Sequence, residues 1–293
     1  RRHCRRAGTR AVGREQGAVI RAYVRANGSA SASMTKFVIG TSAVKAPIMA
    51  NFSSRGPNRY DANVLKPDMT APGVDIIAGV SPELTLEQRD NLINGTLVPD
   101  VAFASYQGTS MSAPHVTGLS ALLRQEHPTW TPAMVKSAMM TTATDTFPDA
   151  LSGDIRGILP FAQGAGHINP NKAVDPGLVY DIAPADYRKY MCGAGIATQC
   201  AGGQIAGYEL NLPSIAVGNV LGAQTVTRTV TNVGASAATY RVSTTMDGFG
   251  IAVSPSSLTI PAGGSASYTV TLTRGSAAEN VWKYGSLTWS DGT

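Results

Sequence analysis

Hydrophobic residues recur along the chain with two different periods, and the change of period divides the sequence. Between residues 108 and 142 the apolar positions lie three or four residues apart, which predicts two helices that each bury one face. The first helix begins near Ser110 and ends at His127, where Pro128 follows. The second begins at Thr131 and Pro132, a residue pair typical of a helix N-cap and first position. The expected apolar faces are Val116, Leu119, Leu122 and Leu123 in the first helix, and Met134, Val135, Ala138, Met139 and Thr142 in the second.

From about Tyr208 onward, apolar and polar residues alternate, and Gly, Pro and Asn separate the alternating segments. Period-two alternation is typical of strands that bury one face. Short strands at this spacing predict a β-sandwich. The alternating positions are Val226, Arg228, Val230, Tyr240, Val242, Ile251, Val253, Tyr268, Val270, Leu272, Leu287 and Trp289.

The candidate chemistry lies where the first helix begins, in the string GTSMSAPHV at residues 108–116. Ser110 in the first turn of a helix is a candidate nucleophile, and its own N–H is a candidate oxyanion donor because the first N–H groups of a helix have no intrahelical partner. Gly108 permits close approach of a substrate backbone. The tripeptide by itself is also compatible with an ordinary helix cap.

The full string closely resembles the serine signature of the subtilisin family of serine proteases. Residues 51–57 and 66–74 resemble the two segments that precede the serine in that family, each read as an apolar strand stopped by Gly-Pro or Pro-Gly. Residues 164–170 and 173–181 resemble the end of the catalytic domain and the stretch that follows it in plant-type subtilases. In this interpretation Asp68 is a turn or hydrogen-bonding residue and not the catalytic acid.

The resemblance implies a partial α/β subtilisin-like parallel-sheet catalytic domain followed by an all-β fibronectin type III-like sandwich. The expected divisions are a leader with the tail of a protease-associated insert at 1–40, the catalytic part at 41–190 and the sandwich at 208–293. Residues 18–40 resemble that insert's tail, and 227–234 resemble the sandwich domain. The family's sandwich adds a final strand after the point where this chain ends, so we expect an unpaired strand edge.

The family's histidine and aspartate both precede its serine. Before Ser110 the chain has one histidine, His3, without the family's His-Gly-Thr context, and no carboxylate lies in the aspartate motif. His115 lies five positions after the serine and is expected to face away from it. Asn51 and Asn94 are interpreted as scaffold and loop residues. The aspartates that precede Ser110 are Asp61, Asp68, Asp75, Asp90 and Asp100.

The resemblance therefore implies a C-terminal fragment of a serine endopeptidase that is inactive when isolated. Ser110 would attack the scissile bond of a polypeptide substrate, and Gly108 and Thr109 would shape the substrate groove. The alternative is a non-catalytic pseudoprotease or an adhesion module built on the sandwich. Neither a cofactor motif nor an EF-hand-like loop is visible, so the sequence predicts no metal ligand and leaves structural calcium and oligomeric state open.

Charge and cysteine content bear on whether the chain binds nucleic acid and whether it contains a disulfide. The formal net charge is +5, and arginines between positions 1 and 25 supply much of it. Because no aromatic residues are interleaved with these arginines, we interpret them as a leader that is disordered or translated in the wrong reading frame, and not as a nucleic-acid-binding arm.

No apolar run is long enough to span a membrane. The resemblance implies a secreted protein. Cys192 and Cys200 could form a small disulfide loop, although two free thiols are an alternative.

Overall fold

The computed structural model describes residues 14–29, 31, 46–81, 84–98, 102–148 and 159–292. The chain separates into two compact units, residues 1–44 and residues 45–293. The described part of the first unit contains helix α1, Arg14–Ala26. Its apolar residues Val19, Ile20, Tyr23 and Val24 are all exposed.

The interpretation of the arginine-rich leader as disordered is wrong for residues 14–26, because they form helix α1. Arg14, Arg21 and Arg25 lie within this helix, whereas the arginines at positions 1–10 lie outside the described residues. The physical reason is spacing, because Val19, Ile20, Tyr23 and Val24 recur at helical intervals between polar residues. Composition alone conceals this periodicity.

In the second unit the first two described strands form a two-stranded antiparallel sheet, and helices follow it. Strands β1 (Ile76–Val80) and β2 (Ala102–Tyr106) pair from Ile76 with Tyr106 to Val80 with Ala102. Helix α2 (Leu86–Ile93) lies in the connection between them and buries none of its residues. Helix α3 (Thr109–Glu126) follows directly after β2, and α4 (Pro132–Thr141) follows α3. Both predicted helices are therefore present, and Thr131 is the N-cap of α4 with Pro132 in its first turn.

Helices α3 and α4 pack around a core that they share with residues of the segments that follow them. Leu119 and Leu123 of α3 are buried, and Val116 is partly buried against them. The prediction that Leu122 belongs to the buried face is wrong, because this residue is 62% exposed. It lies one position before Leu123, and the helical turn of about 100° per residue places it outside the buried stripe. The buried members of this core are Leu119, Leu123, Trp130, Val135, Ala138, Met139, Ile168, Ala173 and Val179.

The two segments expected to be strands before the serine are not strands. Residues 51–57 form turns and irregular backbone, and residues 66–74 contain only an isolated bridge at Thr70. Pro57, Pro67 and Pro72 lack backbone N–H groups and interrupt any ladder in these segments. Parallel pairing among the described residues is limited to two isolated bridges, Ile48 with Phe147 and Thr70 with His167.

Short elements connect the helical core to the C-terminal sandwich. They are α5 (Leu159–Gln163), α6 (Pro170–Ala173), β3 (Leu178–Val179) and α7 (Pro184–Gly193), followed by a 3₁₀ turn at Gly207–Glu209. Cys192 at the end of α7 forms a disulfide with Cys200, with a Cα–Cα distance of 5.8 Å. The structure thus selects the disulfide over the two free thiols.

The sandwich consists of two antiparallel sheets. One has the strand order β3-β4-β8-β6 and the other β7-β5-β9. The strands are β4 (Ala223–Asn232), β5 (Ala238–Met246), β6 (Phe249–Ser254), β7 (Ser257–Ile260), β8 (Ser265–Arg274) and β9 (Gly285–Ser290). The predicted alternation is confirmed, since Val226, Arg228, Val230, Tyr268 and Val270 are all buried.

Strand β3 joins the helical core to the sandwich. Leu178 packs in the sandwich core, whereas its neighbour Val179 packs in the helical core, as the two faces of a strand require. The next residue, Tyr180, donates its backbone N–H to Ser137 Oγ of α4 over 2.8 Å, and its hydroxyl lies 2.6 Å from that of Tyr268. Helix α4 and the sandwich are therefore bonded to the same short segment.

A buried arginine fixes the segment that leads into the sandwich. The side chain of Arg228 is 1% exposed. Its guanidinium donates to the carbonyl oxygens of Leu212 and Tyr208 at 2.8 Å and of Ser214 at 3.3 Å. A buried charge needs such partners, because an unpaired one is costly in a low dielectric. Arg228 thus attaches residues 208–214 to strand β4.

Candidate active site

Ser110 is the second residue of helix α3, and its side chain is exposed. Gly108 is the N-cap, with φ of 154° and ψ of 162°, a backbone conformation that other residues rarely adopt. Because glycine has no side chain, no side-chain cap occupies the first N–H groups of α3. Pro114 has no N–H, so it cannot donate to the carbonyl of Ser110 one turn earlier. Because glycine provides no side-chain cap, the first turn of α3 presents backbone N–H donors at a helix N-terminus, where the helix dipole favours negative charge.

The segment Ala71 to Gly73 is hydrogen-bonded to α3 on both sides of Ser110. The N–H of Gly108 donates to the carbonyl oxygen of Gly73 over 2.8 Å. Two positions after Ser110, the hydroxyl of Ser112 donates to the carbonyl oxygen of Ala71, also over 2.8 Å. These contacts were not predicted from the sequence, because they join residues about forty positions apart and leave no local signal.

Gly73 lies so close to α3 that a side chain would not fit. A Cβ at this position would be 2.3 Å from Ser112 Oγ and 2.9 Å from the carbonyl oxygen of Gly108. Such distances are well inside van der Waals contact, so an added methyl group would force the two segments apart. The glycine of the proline-glycine pair at 72–73 is thus required by packing, and it does not mark the end of a strand as the sequence had suggested.

The described histidines make structural contacts away from Ser110. His115 Nδ1 lies 2.8 Å from the carbonyl oxygen of Met111 on its own helix. His127 is the C-cap of α3 and stacks on Trp130 with a centroid distance of 3.8 Å. His167 Nδ1 lies 3.3 Å from Thr70 Oγ1. Within the described ranges no histidine is hydrogen-bonded to Ser110, and His3 lies outside them.

Burial lowers the pKa of His167 below its ordinary value of 6.5, and the charge of His115 lowers it further. His167 is therefore neutral near pH 7 and suited to hydrogen bonding inside the scaffold. Its backbone exchanges hydrogen bonds with Thr144, while Thr70 bonds to Gly166 and Ile168 on either side of it. The segment at 164–170 is thus hydrogen-bonded through Thr70 to the stretch that leads to Gly73.

Asp68 is a hydrogen-bonded residue, as the sequence interpretation expected, and its partners are two lysines with which it forms ion pairs. Its carboxylate lies 2.5 Å from Lys66 Nζ and 2.6 Å from Lys136 Nζ of α4. Burial raises the pKa of Asp68, but the charges and hydrogen bonds of Lys136 and Lys66 outweigh burial, and the net pKa is lowered. Asp68 therefore ties the stretch before Gly73 to α4.

The other polar candidates are dispersed. Asp61 accepts from the N–H of Asn63 and lies near α7, and Asp90 lies on α2. Asn94 is the C-cap of α2, and Asn51 lies in an exposed turn. Asp100 is outside the described residues. Where side chains are described, no group of three or more His, Cys, Asp or Glu is placed to hold a metal ion.

The helices of the described residues include none that is both long and apolar enough to cross a membrane.

Comparison with known proteins assigns both parts of the chain. The sequence model described as the subtilase family matches residues 14–166, more than half of the chain. The model described as a fibronectin type-III domain matches residues 209–293. Together they confirm the predicted succession of a subtilisin-like fold and a fibronectin-like sandwich.

Individual relatives agree with these matches. A subtilisin-like protease of Glycine max is 40% identical over 84% of this chain and 33% of its own length. Subtilisin-like proteases SBT1.7 and SBT3.3 of Arabidopsis thaliana are 40% and 38% identical over 96% of this chain. The chain spans 33% to 39% of the length of these three relatives.

Among solved structures, fervidolysin from Fervidobacterium pennivorans, a keratinolytic enzyme related to subtilisin, matches with a TM-score of 0.25 and 21% identity. The match covers 67% of this chain and 22% of fervidolysin. This similarity is too low to add to the assignment, which comes from the family model. The chain belongs to the subtilase family of serine proteases.

Proposed function

We propose that the protein is a serine endopeptidase in which Ser110 is the nucleophile that attacks the scissile peptide bond of a polypeptide substrate. The observation that carries the proposal is the exposed Ser110 in the first turn of α3, two residues after the N-cap Gly108 with its unusual conformation. An exposed hydroxyl at a helix N-terminus combines access for a substrate with donors for developing negative charge.

In this mechanism the Ser110 hydroxyl adds to the carbonyl carbon while a histidine accepts its proton. The N–H of Ser110 donates to the oxyanion, and Gly108 and Thr109 border the substrate. We assign the histidine, its aspartate partner and a second oxyanion donor to the part of the relatives' length that this chain does not span. In subtilisin the loss of the histidine alone lowers kcat by about 10⁶-fold, so residues 1–293 in isolation are expected to be inactive.

The proposed divisions are a catalytic part at 41–190 and a sandwich at 208–293. We propose a secreted location, which the disulfide between Cys192 and Cys200 supports because such bonds persist in oxidising compartments.

The test is Ser110→Ala in the full-length protein. Peptide hydrolysis and labelling by a fluorophosphonate probe should both be lost. Ser120→Ala is the matched control, because Ser120 lies on the same helix and its hydroxyl bonds within that helix to Val116 over 2.8 Å. Labelling that persists in Ser110→Ala would reject Ser110 as the nucleophile, and an unlabelled full-length wild-type protein would favour the pseudoprotease alternative.

A further inference from the structure

We propose that Ser112 is a positioning residue for Ser110, because its hydroxyl holds the Ala71–Gly73 segment against the first turn of α3 and so fixes the backbone on which Ser110 is carried. This inference rests on the proposed function, since positioning matters for activity only if Ser110 reacts.

The geometry consists of two hydrogen bonds that enclose Ser110 in sequence. Gly108 N–H donates to Gly73 O, and Ser112 Oγ donates to Ala71 O, each over 2.8 Å. The acceptors lie two residues apart on one segment, and the donors lie two residues before and two residues after Ser110. Rotation or fraying of the first turn of α3 would break one or both bonds.

The conformation of Gly108 has to be restrained by contacts from outside the helix. Glycine has more accessible backbone conformations than any other residue, so Gly108 does not by itself keep its φ at 154°. A change at Gly108 would move both the N–H and the hydroxyl of Ser110. Catalytic groups need placement within about 0.5 Å and 10–20° of their productive geometry, so contacts from outside the helix must restrain this residue.

The bond that Ser112 makes differs from the bonds of comparable hydroxyl groups on these helices. Ser and Thr within helices often donate to the carbonyl four residues earlier. Thr117 and Ser120 of α3 bond in this way to Ala113 and Val116. Ser112 instead donates to a carbonyl forty-one positions earlier in the chain. Its hydroxyl therefore serves a contact between segments and not the helix itself.

The contact is also closely packed. The 2.3 Å that would separate Ser112 Oγ from a Cβ on Gly73 shows that glycine at 73 leaves room for this hydroxyl. A serine and a glycine from distant parts of the sequence are thus matched in size. Replacing Ser112 by Ala removes the donor, leaves the carbonyl of Ala71 without it, and opens space beside Gly73.

The experiment compares Ser112→Ala with Ser120→Ala in the full-length protease. Both changes delete one serine hydroxyl that donates to a backbone carbonyl from α3. For Ser112→Ala we expect kcat to fall by roughly tenfold with little change in KM, because misplacement of Ser110 affects the transition state more than substrate binding. For Ser120→Ala we expect both parameters to stay within about twofold of the wild-type values.

A second measurement separates positioning from general loss of stability. A peptide boronate forms a tetrahedral adduct with the serine and tests the nucleophile and the oxyanion donors together. Its affinity should fall in step with kcat in Ser112→Ala, whereas the affinity for an uncleaved peptide of the same sequence should not. The midpoints of the pH–rate profile should stay in place, because the base itself is unchanged.

Ser112→Cys replaces the hydroxyl by a larger thiol that is a weaker donor but fills the space beside Gly73, and its kcat should lie between those of the wild type and Ser112→Ala. It also keeps the inference testable if Ser112→Ala does not fold. The inference is overturned if the Ser112 variants match Ser120→Ala in kcat and in boronate affinity while Ser110→Ala is inactive. Activity that survives in Ser110→Ala would instead refute the proposed function, and the two failures are therefore distinguishable.

Discussion

The backbone N–H of Gly108 donates a hydrogen bond to the carbonyl oxygen of Gly73, and the two glycines lie so close that a Cβ on Gly73 would be 2.9 Å from the carbonyl oxygen of Gly108. The residue before helix α3, which carries the candidate nucleophile, is thus packed against a backbone segment with no space for a side chain. This relationship makes Gly73 as specific a requirement of the candidate active site as Gly108 is.

Gly73→Ala should therefore impair both the fold and the site. We expect about 1–3 kcal/mol of destabilisation, as overpacking commonly causes, together with slower fluorophosphonate labelling of Ser110. Gly79→Ala is the matched control, because Gly79 lies on the neighbouring strand β1, where an added Cβ would meet nothing within 4 Å. Thermal unfolding and labelling rates of the full-length variants provide the measurement, and equal effects from the two substitutions would contradict the packing argument.

The guanidinium of Arg228 should be essential to the junction between the helical core and the sandwich. Arg228→Met keeps most of the side-chain length but removes the donor from the buried carbonyl of Leu212 and from the part-buried carbonyls of Tyr208 and Ser214. We expect a loss of about 3 kcal/mol or more in the free energy of unfolding. Arg241→Met on the exposed face of β5 should change it by less than about 0.5 kcal/mol. Similar denaturation midpoints for the two variants would show that the Arg228 bonds contribute little.

The ion pairs of Asp68 should make stability depend on pH in the acid range. The pKa of Asp68 in the folded protein lies below its ordinary value of 3.8. Its contribution is therefore complete when the pH is well above 3.8, and it is lost as the pH falls through the lower folded pKa. We expect Asp68→Asn to cost about 1–2 kcal/mol at pH 7, and the difference from the wild type to shrink below about pH 4.

The matched control for Asp68 is Asp186→Asn, because Asp186 pairs with Lys189 at 2.9 Å in a more exposed position, with 40% of the Asp186 side chain accessible. Surface pairs contribute about 0–1 kcal/mol, so this variant should stay near the wild type. Chemical unfolding of both variants between pH 3 and 7 is the measurement. A constant difference for Asp68→Asn across that range would refute the linkage.

The disulfide between Cys192 and Cys200 should stabilise the segment after α7. The sequence separation of 8 closes a short loop, for which the chain-entropy relation gives about 2–3 kcal/mol. Reductant should lower the melting temperature of the wild type, and Cys192→Ser should unfold at the reduced wild-type temperature whether or not reductant is present. Cys4→Ser serves as the control and should respond to reductant as the wild type does. A melting temperature unaffected by reductant would contradict the expected stabilisation.

Periodic elements were predictable from the sequence to the extent that local pattern determines them. The start of α4 at Thr131 and Pro132, the end of α3 at His127 and the alternation around Val226 and Val230 all follow from caps and from side-chain period. Residues 51–57 and 66–74 were wrongly expected to be strands, because a strand also needs a neighbour with which to pair. Leu122 was wrongly placed on the buried face, since the width of that face depends on what packs against it.

The sequence by itself determined the family signature around Ser110, the succession of a helical part and a β-sandwich, and the glycine before the candidate nucleophile. These features lie in contiguous residues whose spacing and chemistry are legible one segment at a time. Only the tertiary structure decided that Ser112 bonds to Ala71, that Gly73 has no room for a side chain, and that Leu178 and Val179 face different cores. Such contacts join residues that are distant in the chain, and they exist only after packing has brought those residues within hydrogen-bonding and van der Waals distance.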